Sequence, residues 1–267
     1  MSFLHIAVLA LVQGITEFLP ISSSGHLVLI SVALKLPDQG LIMDVAVHVG
    51  TVCAVILYLW GDLWAILIGL GRAAKGRRDP GARMAGRIII ATLPLVAAGL
   101  GLNHYYPGGL RGLELIGWST VVFGLLLLIA DRIGLTLRRV EHLRYGDAIV
   151  IGLAQALALI PGTSRSGITM TAGRILGMER TDAARFSLLL SIPAISGAGA
   201  LKGYELWRSG NAALTSDAVL AAALAFTVAL IAITALMAWL RRATFTPFVV
   251  YRLFFGGAVL GLVYGWY

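Results

Sequence analysis

The chain has 267 residues, of which 58% are hydrophobic and only 13% are charged, and its mean hydropathy is +0.88. This composition excludes an ordinary soluble globular protein and predicts an all-α polytopic membrane protein. The net charge of +8 gives no reason to expect a nucleic-acid partner, because basic residues of membrane proteins collect in cytoplasmic loops. The single cysteine, Cys53, excludes an intrachain disulfide bond.

Residues 1–35 are predicted to form two short helices with a polar break between them. The segment is apolar at both ends, but Pro20 and the serine run at 22–24 interrupt it. Because a single span needs about 20 predominantly apolar residues, a re-entrant hairpin fits better than one span. An ionisable group such as Glu17 costs roughly 2.5–3.5 kcal/mol at membrane depth, and irregular backbone persists there only beside protein or water. We therefore expect this break to line a cavity.

Hydropathy predicts three membrane spans after the first hairpin. They are residues 44–60, 87–102 and 115–130. The second half of the chain repeats this layout, with a polar break at 161–169 inside a second predicted hairpin over residues 145–178. Its three predicted spans are residues 185–206, 217–240 and 247–267.

We therefore predict one integral membrane domain over residues 1–267, built from repeat one at 1–132 and repeat two at 145–267. An alignment that places Gln13 on Gln155 also places Ser22, Ser24 and Gly25 on Ser164, Ser166 and Gly167, while the prolines of the two breaks miss alignment by one residue. Each repeat holds three spans, an odd number, so the repeats must be inverted, with the basic loops on the cytoplasmic side. The predicted fold is six transmembrane helices plus two re-entrant helical hairpins in inverted repeats. Such folds place their site near the midplane, where the breaks meet.

The two breaks contain groups suited to binding phosphate. Arg165 is always charged and presents a planar fork of donors, and Gly162 lets backbone approach a ligand closely. Glu17 lies one helical turn after Gln13, so both side chains share a face. A hard divalent cation would offset the repulsion between this carboxylate and a phosphate group.

Ser23 and Ser24 are nucleophile candidates, and His26 is close enough in sequence to serve either as base or acid. Simpler roles remain open for these groups. The serines could only cap a helix, and Arg165 could be nothing but the ion-pair partner of Glu17. Arg252, inside the last predicted span, is expected to reach towards the basic face of the membrane.

The stretch from Gln13 to His26 resembles the (E/Q)xxxE-FLP-SS-[ST]-GH motif of the bacterial undecaprenyl-pyrophosphate phosphatases, the bacitracin-resistance proteins. Residues 161–167 resemble the second motif of this family, PGxSRSG. The resemblance covers essentially the whole chain, and two long motifs at matching places make it highly specific.

This resemblance implies a multi-pass enzyme of the bacterial inner membrane, with six spans, two re-entrant hairpins and an active site open to the periplasm. The enzyme would hydrolyse undecaprenyl pyrophosphate to the monophosphate and phosphate, which recycles the lipid carrier for peptidoglycan synthesis and gives bacitracin resistance. It would depend on a divalent cation, Mg²⁺ or Ca²⁺, and contact membrane lipids. The oligomeric state stays open, with a homodimer among the alternatives. The rival reading is a transporter or flippase of the lipid carrier, because inverted repeats with broken helices also describe transporters.

The resemblance also implies roles by position. Glu17 would be linked to the metal, and Gln13 is a second candidate for this role. Many members have glutamate at the position of Gln13, so the glutamine of this chain removes one possible metal-linked charge. Ser23 would be a nucleophile, His26 a general acid/base or, in another proposal, the nucleophile, and Arg165 would hold the pyrophosphate. The residues expected to bind substrate are Gln13, Ser22, Ser24, Gly162, Thr163, Ser164, Ser166 and Thr169.

Overall fold

The structure, a computed structural model, describes residues 2–33, 41–106, 110, 112–209 and 212–265. Within these ranges the chain forms eleven α-helices, with no strand beyond an isolated bridge between Arg138 and Met178. The helices are α1 (Phe3–Thr16), α2 (Ser23–Ala33), α3 (Leu41–Tyr58), α4 (Trp60–Ala73), α5 (Pro80–Tyr105), α6 (Leu113–Ile133), α7 (Tyr145–Ala156), α8 (Arg165–Ile175), α9 (Arg180–Ser209), α10 (Ala212–Leu240) and α11 (Thr246–Tyr264). Short 3₁₀ turns occur at Val140–His142 and Leu157–Leu159.

Local chemistry explains several helix ends. Asp79 caps α5, because its carboxylate accepts a hydrogen bond from the Gly81 N–H at 2.8 Å, and Pro80 occupies the first turn. The hydrogen bond from Gly81 also holds the pKa of the Asp79 carboxyl below its usual range. α11 ends at Gly265, whose φ of 66° is the left-handed conformation that glycine adopts without steric cost.

Both predicted hairpins form as a helix, a break and a second helix. α1 begins at residue 3 and α7 at residue 145, while α2 begins at 23 and α8 at 165, so each pair is separated by 142 residues. Ser22 and Ser164, which are separated by the same 142 residues, both have positive φ, at 77° and 69°. The alignment of Gln13 with Gln155 therefore also matches the helix boundaries and the backbone of the breaks. The re-entrant course of the hairpins and the inversion of the repeats stay predictions.

Four described helices are long and apolar enough to cross a membrane, as expected for a polytopic membrane protein. They are α5, α6, the Leu214–Leu240 part of α10, and α11. α3 and α4 form a fifth candidate when taken together, although they are bent by 77° at Leu59. The predicted span 44–60 thus corresponds to α3, whereas α4 was not predicted. The count of six spans stays a prediction.

Each hairpin packs against a long helix of the other half of the chain. α1 lies on α10, and α7 lies on α5. The most extensive contact is between α3 and α10, where a Cβ atom on Gly50 would collide with the backbone of Ala222. With this exchange of partners the two breaks lie in contact, as the hydrogen bonds between them show.

A buried ionic cluster holds the far end of α8. The guanidinium of Arg174, which is fully buried, donates from Nε to Asp131 Oδ1 at 3.1 Å and from Nη2 to the Gly134 carbonyl at 2.8 Å. Arg180 donates to the same carboxylate oxygen at 2.7 Å, and the Phe245 N–H donates to the other oxygen at 3.2 Å. The cluster joins α6, α8 and α9 to the segment before α11, and removing one partner of such a buried pair costs about 3–5 kcal/mol.

Candidate active site

The two breaks meet at a cavity of about 220 Å³. Six predicted site residues line it, namely Glu17, Ser22, Ser23, Ser24, Ser164 and Arg165. His48 from α3 adds another polar group, and the apolar lining consists of Leu95, Ala158, Ala194 and Ile195. The cavity therefore combines hydroxyl and charged groups from the breaks with hydrocarbon from the neighbouring segments.

The carboxylate of Glu17 is the centre of the hydrogen-bond network at this cavity. Ser23 Oγ donates to Glu17 Oε2 at 2.8 Å, and Gln13 Nε2 donates to the same oxygen at 2.9 Å. Arg165 Nη2 donates to Oε1 at 3.1 Å, and His48 Nε2 lies 3.6 Å from Oε2. The Glu17 side chain is only 7% exposed. A carboxylate within hydrogen-bond reach of a serine hydroxyl has the geometry of a general base, so the structure pairs Ser23 with Glu17.

Arg165 reaches the first break from the first residue of α8. Besides its contact with Glu17, it donates from Nη1 to the Ser187 carbonyl at 3.4 Å. These are two of the five N–H groups of a guanidinium, and Arg165 lines the cavity, so its remaining donors are available to an acceptor there. The ion pair with Glu17, which the sequence left open as an alternative role of Arg165, is present. It does not use all the N–H groups of Arg165, so the same guanidinium can also contact a ligand.

His26 does not line the cavity. Its Nδ1 lies 2.7 Å from the Ser22 carbonyl and its Nε2 lies 2.6 Å from the Tyr251 hydroxyl. The ring also stacks on Phe255, with centroids 4.1 Å apart and planes at 15°. Because a carbonyl only accepts, Nδ1 donates to Ser22, and in the neutral ring Nε2 then accepts from Tyr251. His26 thus ties the first break to α11, and an acid/base role at the cavity would require this side chain to move.

Ser166 and Thr169 do not line the cavity. Ser166 Oγ donates to the Leu19 carbonyl at 2.9 Å, which joins the second break to the first. Thr169 Oγ1 donates to the carbonyl of Arg165 at 2.9 Å and lies 2.7 Å from Ser187 Oγ. Both hydroxyls are buried and hold the breaks in place.

Arg252 corrects the expectation that it reaches towards a membrane face. It is fully buried, and its guanidinium donates to the carbonyls of Thr120, Gly162 and Thr163 at 3.0 Å each and of Pro20 at 3.3 Å. The physical reason is that broken helices leave carbonyls without intrahelical partners, and these supply acceptors inside the protein. Gly162 and Thr163 therefore bond to Arg252 and do not line the cavity, and the buried Thr163 hydroxyl has no hydrogen-bond partner among the described residues.

The described ranges contain no cluster of three or more His, Cys, Asp or Glu side chains that could enclose a metal ion. Mg²⁺ is usually held by one or two carboxylates together with phosphate oxygens of the substrate. Glu17 offers one hard oxygen ligand at the cavity. Gln13 does not line the cavity, but its amide contacts Glu17, and its buried Oε1 has no hydrogen-bond partner among the described residues. These groups fit a cation that arrives with a phosphate-bearing ligand and do not fit a closed protein cage.

Comparison with known proteins agrees with the motifs. The family described as "Bacitracin resistance protein BacA" matches residues 6–258. The chain is 52% identical to "Undecaprenyl-diphosphatase 1" of Rhodospirillum rubrum, over 99% of this chain and 96% of that protein. It is 49% identical to "Undecaprenyl-diphosphatase" of Ruegeria pomeroyi, over 99% and 100% of the two chains, and 47% identical to the protein of that name in Teredinibacter turnerae, over 96% and 97%. The chain therefore belongs to the bacitracin resistance protein BacA family.

Proposed function

We propose that this chain is an undecaprenyl-diphosphatase, which hydrolyses undecaprenyl pyrophosphate to the monophosphate and inorganic phosphate. This activity recycles the lipid carrier for peptidoglycan synthesis and gives bacitracin resistance. The observation that carries the proposal is the hydrogen bond of 2.8 Å from Ser23 Oγ to Glu17, with Arg165 at 3.1 Å from the other oxygen of that carboxylate. The names of relatives at 47–52% identity support the same activity.

In the first proposed step, Ser23 Oγ attacks the terminal phosphorus and its proton passes to Glu17 Oε2. The Oγ–P bond forms while the bond from phosphorus to the bridging oxygen breaks, and the prenyl monophosphate leaves with the bonding electrons. The proton on Glu17 then passes to the departing monophosphate, which restores the carboxylate.

In the second step, water attacks the phosphoserine at position 23 and gives a proton to Glu17. The P–Oγ bond breaks, Ser23 Oγ takes the proton from Glu17, and inorganic phosphate is released. The donors of Arg165 that face the cavity stabilise the charge on the non-bridging oxygens in both transition states. A divalent cation bound by phosphate, Glu17 and Gln13 would supply additional positive charge to those oxygens.

The apolar lining gives the cavity a place for the start of the prenyl chain. Leu95 and Ile195 flank the polar groups, so the substrate would place its pyrophosphate on the breaks and its hydrocarbon against α5 and α9. The rest of the prenyl chain then extends into lipid, where its hydrocarbon is not exposed to water.

The experiment that tests this function is phosphate release from a prenyl pyrophosphate by the purified protein in detergent with Mg²⁺. We expect catalytic release of one phosphate per substrate and accumulation of the prenyl monophosphate. A protein that binds the lipid and moves it between leaflets of a vesicle without releasing phosphate would instead be a carrier flippase, and the proposed function would be wrong.

We also propose that the protein resides in the bacterial inner membrane, with its basic stretches in the cytoplasm and its cavity open to the periplasm. The support is the concentration of basic residues at 72–87, 132–144 and 241–242. After Cys53 is replaced, a cysteine at Tyr106 should react with an impermeant thiol reagent on spheroplasts, and one at Arg78 should not. Both positions are exposed in the structure, so the reverse labelling pattern would overturn the orientation.

A further inference from the structure

We propose that Arg252 is a positioning residue for the hydrolysis, which locks the second break against the first and so sets the place of Arg165 relative to Glu17. The kinetic test of this inference rests on the proposed function, whereas its test by pyrophosphate binding does not. Arg252 is fully buried and does not line the cavity, and its hydrogen bonds go to neither Glu17 nor Arg165.

The contacts of Arg252 join three segments that are far apart in sequence. Its Nε bonds the carbonyl of Thr120 on α6, its Nη1 bonds that of Pro20 in the first break, and its Nη2 bonds those of Gly162 and Thr163 in the second break. Gly162 and Thr163 immediately precede Ser164 and Arg165, the cavity residues of that break. A movement of Arg252 would therefore be transmitted to Arg165 within two peptide units.

Two glycines make room for this side chain. A Cβ atom at Gly167 would lie 2.8 Å from Arg252 Nη1, and one at Gly124 would lie 3.2 Å from Arg252 Cβ. Gly167 lies in the first turn of α8, two residues after Arg165. The guanidinium thus packs directly against the turn that carries Arg165, and the packing leaves no space for a larger residue.

Arg252 is paired only with carbonyls. In the part of the chain that the structure describes, no carboxylate forms a salt bridge with it, so four carbonyl dipoles compensate a buried positive charge. Only the planar fork of arginine can reach acceptors in these different directions, because the ammonium of lysine is a compact point charge. Arg252→Lys would keep the charge but leave carbonyls of the breaks unbonded, and the breaks would shift.

The test is steady-state phosphate release by Arg252→Lys, by Arg165→Lys and by the double variant. A misplacement of about 1 Å in a catalytic group costs about 100-fold, so we expect kcat of Arg252→Lys to fall by about that factor. If Arg252 acts through the position of Arg165, the two losses will not multiply, and the double variant will be nearly as active as Arg165→Lys alone. Losses that multiply, or a kcat of Arg252→Lys within threefold of wild type, would refute the proposal.

The matched control is Arg174→Lys, which replaces another fully buried arginine, located on α8 about 13 Å along the helix from Arg165. It should lower the melting temperature and leave kcat within threefold of wild type. If Arg252→Lys does not fold, Gly167→Ala places a methyl group 2.8 Å from the same guanidinium and 3.2 Å from the Ser164 side chain. Gly257→Ala on α11, whose methyl group would meet no described atom within 4 Å, is its control. Wild-type kcat in a folded Gly167→Ala protein would also refute the proposal.

Binding of inorganic pyrophosphate, measured by calorimetry, separates this proposal from the proposed function. We expect weaker pyrophosphate binding in Arg252→Lys than in Arg174→Lys, whether or not the wild type turns over. If the wild type showed no turnover but the two variants differed in this way, the hydrolase assignment would be wrong and the positioning role would stand. Equal binding in both variants would remove the positioning role alone.

Discussion

Glu17→Gln is expected to lower kcat for phosphate release by roughly 100- to 10,000-fold, the range that a general base contributes. The amide keeps the shape of the side chain but cannot take the proton of Ser23, whose hydroxyl lies 2.8 Å from the carboxylate. It also leaves Arg165 without its ion-pair partner. Added Mg²⁺ should not restore turnover, because the missing proton acceptor is part of the protein. The measurement is steady-state kinetics over a titration of the cation.

Gln13→Glu is the matched control for this prediction, since it changes the neighbouring side chain on the same face of α1. It replaces the amide by a carboxylate, which adds negative charge for a hard cation, and should retain activity while it tightens the dependence on the cation. A folded Glu17→Gln protein with normal turnover would show that Glu17 is neither the base nor a ligand of the cation.

Arg165→Lys is expected to lower kcat by about two orders of magnitude, or roughly 2.7 kcal/mol of transition-state stabilisation. Lysine preserves the charge and could still neutralise Glu17. It lacks the planar fork with which Arg165 contacts Glu17 and Ser187 while further N–H groups stay available to the phosphate. If Arg165 were only a structural partner of Glu17, lysine would restore most of the activity. Kinetics measured beside melting temperatures distinguishes the two roles.

Arg185→Lys provides the control for a general effect of replacing arginine. Arg185 pairs with Asp62 and Glu141 in a partly exposed network outside the cavity, so this variant should keep kcat near that of the wild type. An Arg165→Lys enzyme that matches Arg185→Lys in kcat would remove Arg165 from the catalytic groups.

The helix–break–helix course of both hairpins could be predicted because it is a local property of the sequence. Pro20 lacks a backbone N–H, and serine side chains compete for backbone hydrogen bonds, so together they favour the end of a helix there. An ionised Glu17 in an apolar segment further indicated a cavity. The same reasoning brought Ser23 and Arg165 to one site, where the structure also places them.

The hydrogen-bond partner of Ser23 could not be predicted from spacing. His26 lies three residues after Ser23 on α2, a spacing that puts both on one helix face, but the imidazole points to Tyr251 on α11. Glu17, which is further away in sequence, returns to Ser23 because the break turns the chain back on itself. The direction of a side chain after a turn depends on tertiary packing.

The role of Arg252 was missed for a related reason. Hydropathy predicts that an arginine in a span lowers its energy by reaching a membrane surface. Instead, three of the four acceptors of Arg252 are carbonyls of two distant breaks, and the fourth is on α6. No local pattern encodes that arrangement. The bend of 77° between α3 and α4 was missed because Leu59, where it occurs, is neither proline nor glycine.

In the proposed mechanism, Ser23 receives the phosphoryl group while Glu17 removes the proton of the serine hydroxyl. The most direct measurement is the stereochemical course at the terminal phosphorus, made chiral with sulfur and oxygen isotopes in a prenyl pyrophosphate analogue. Two successive in-line displacements, by Ser23 and then by water, predict thiophosphate with retained configuration. Inverted configuration would mean one direct displacement by water, and Ser23 would not be the nucleophile.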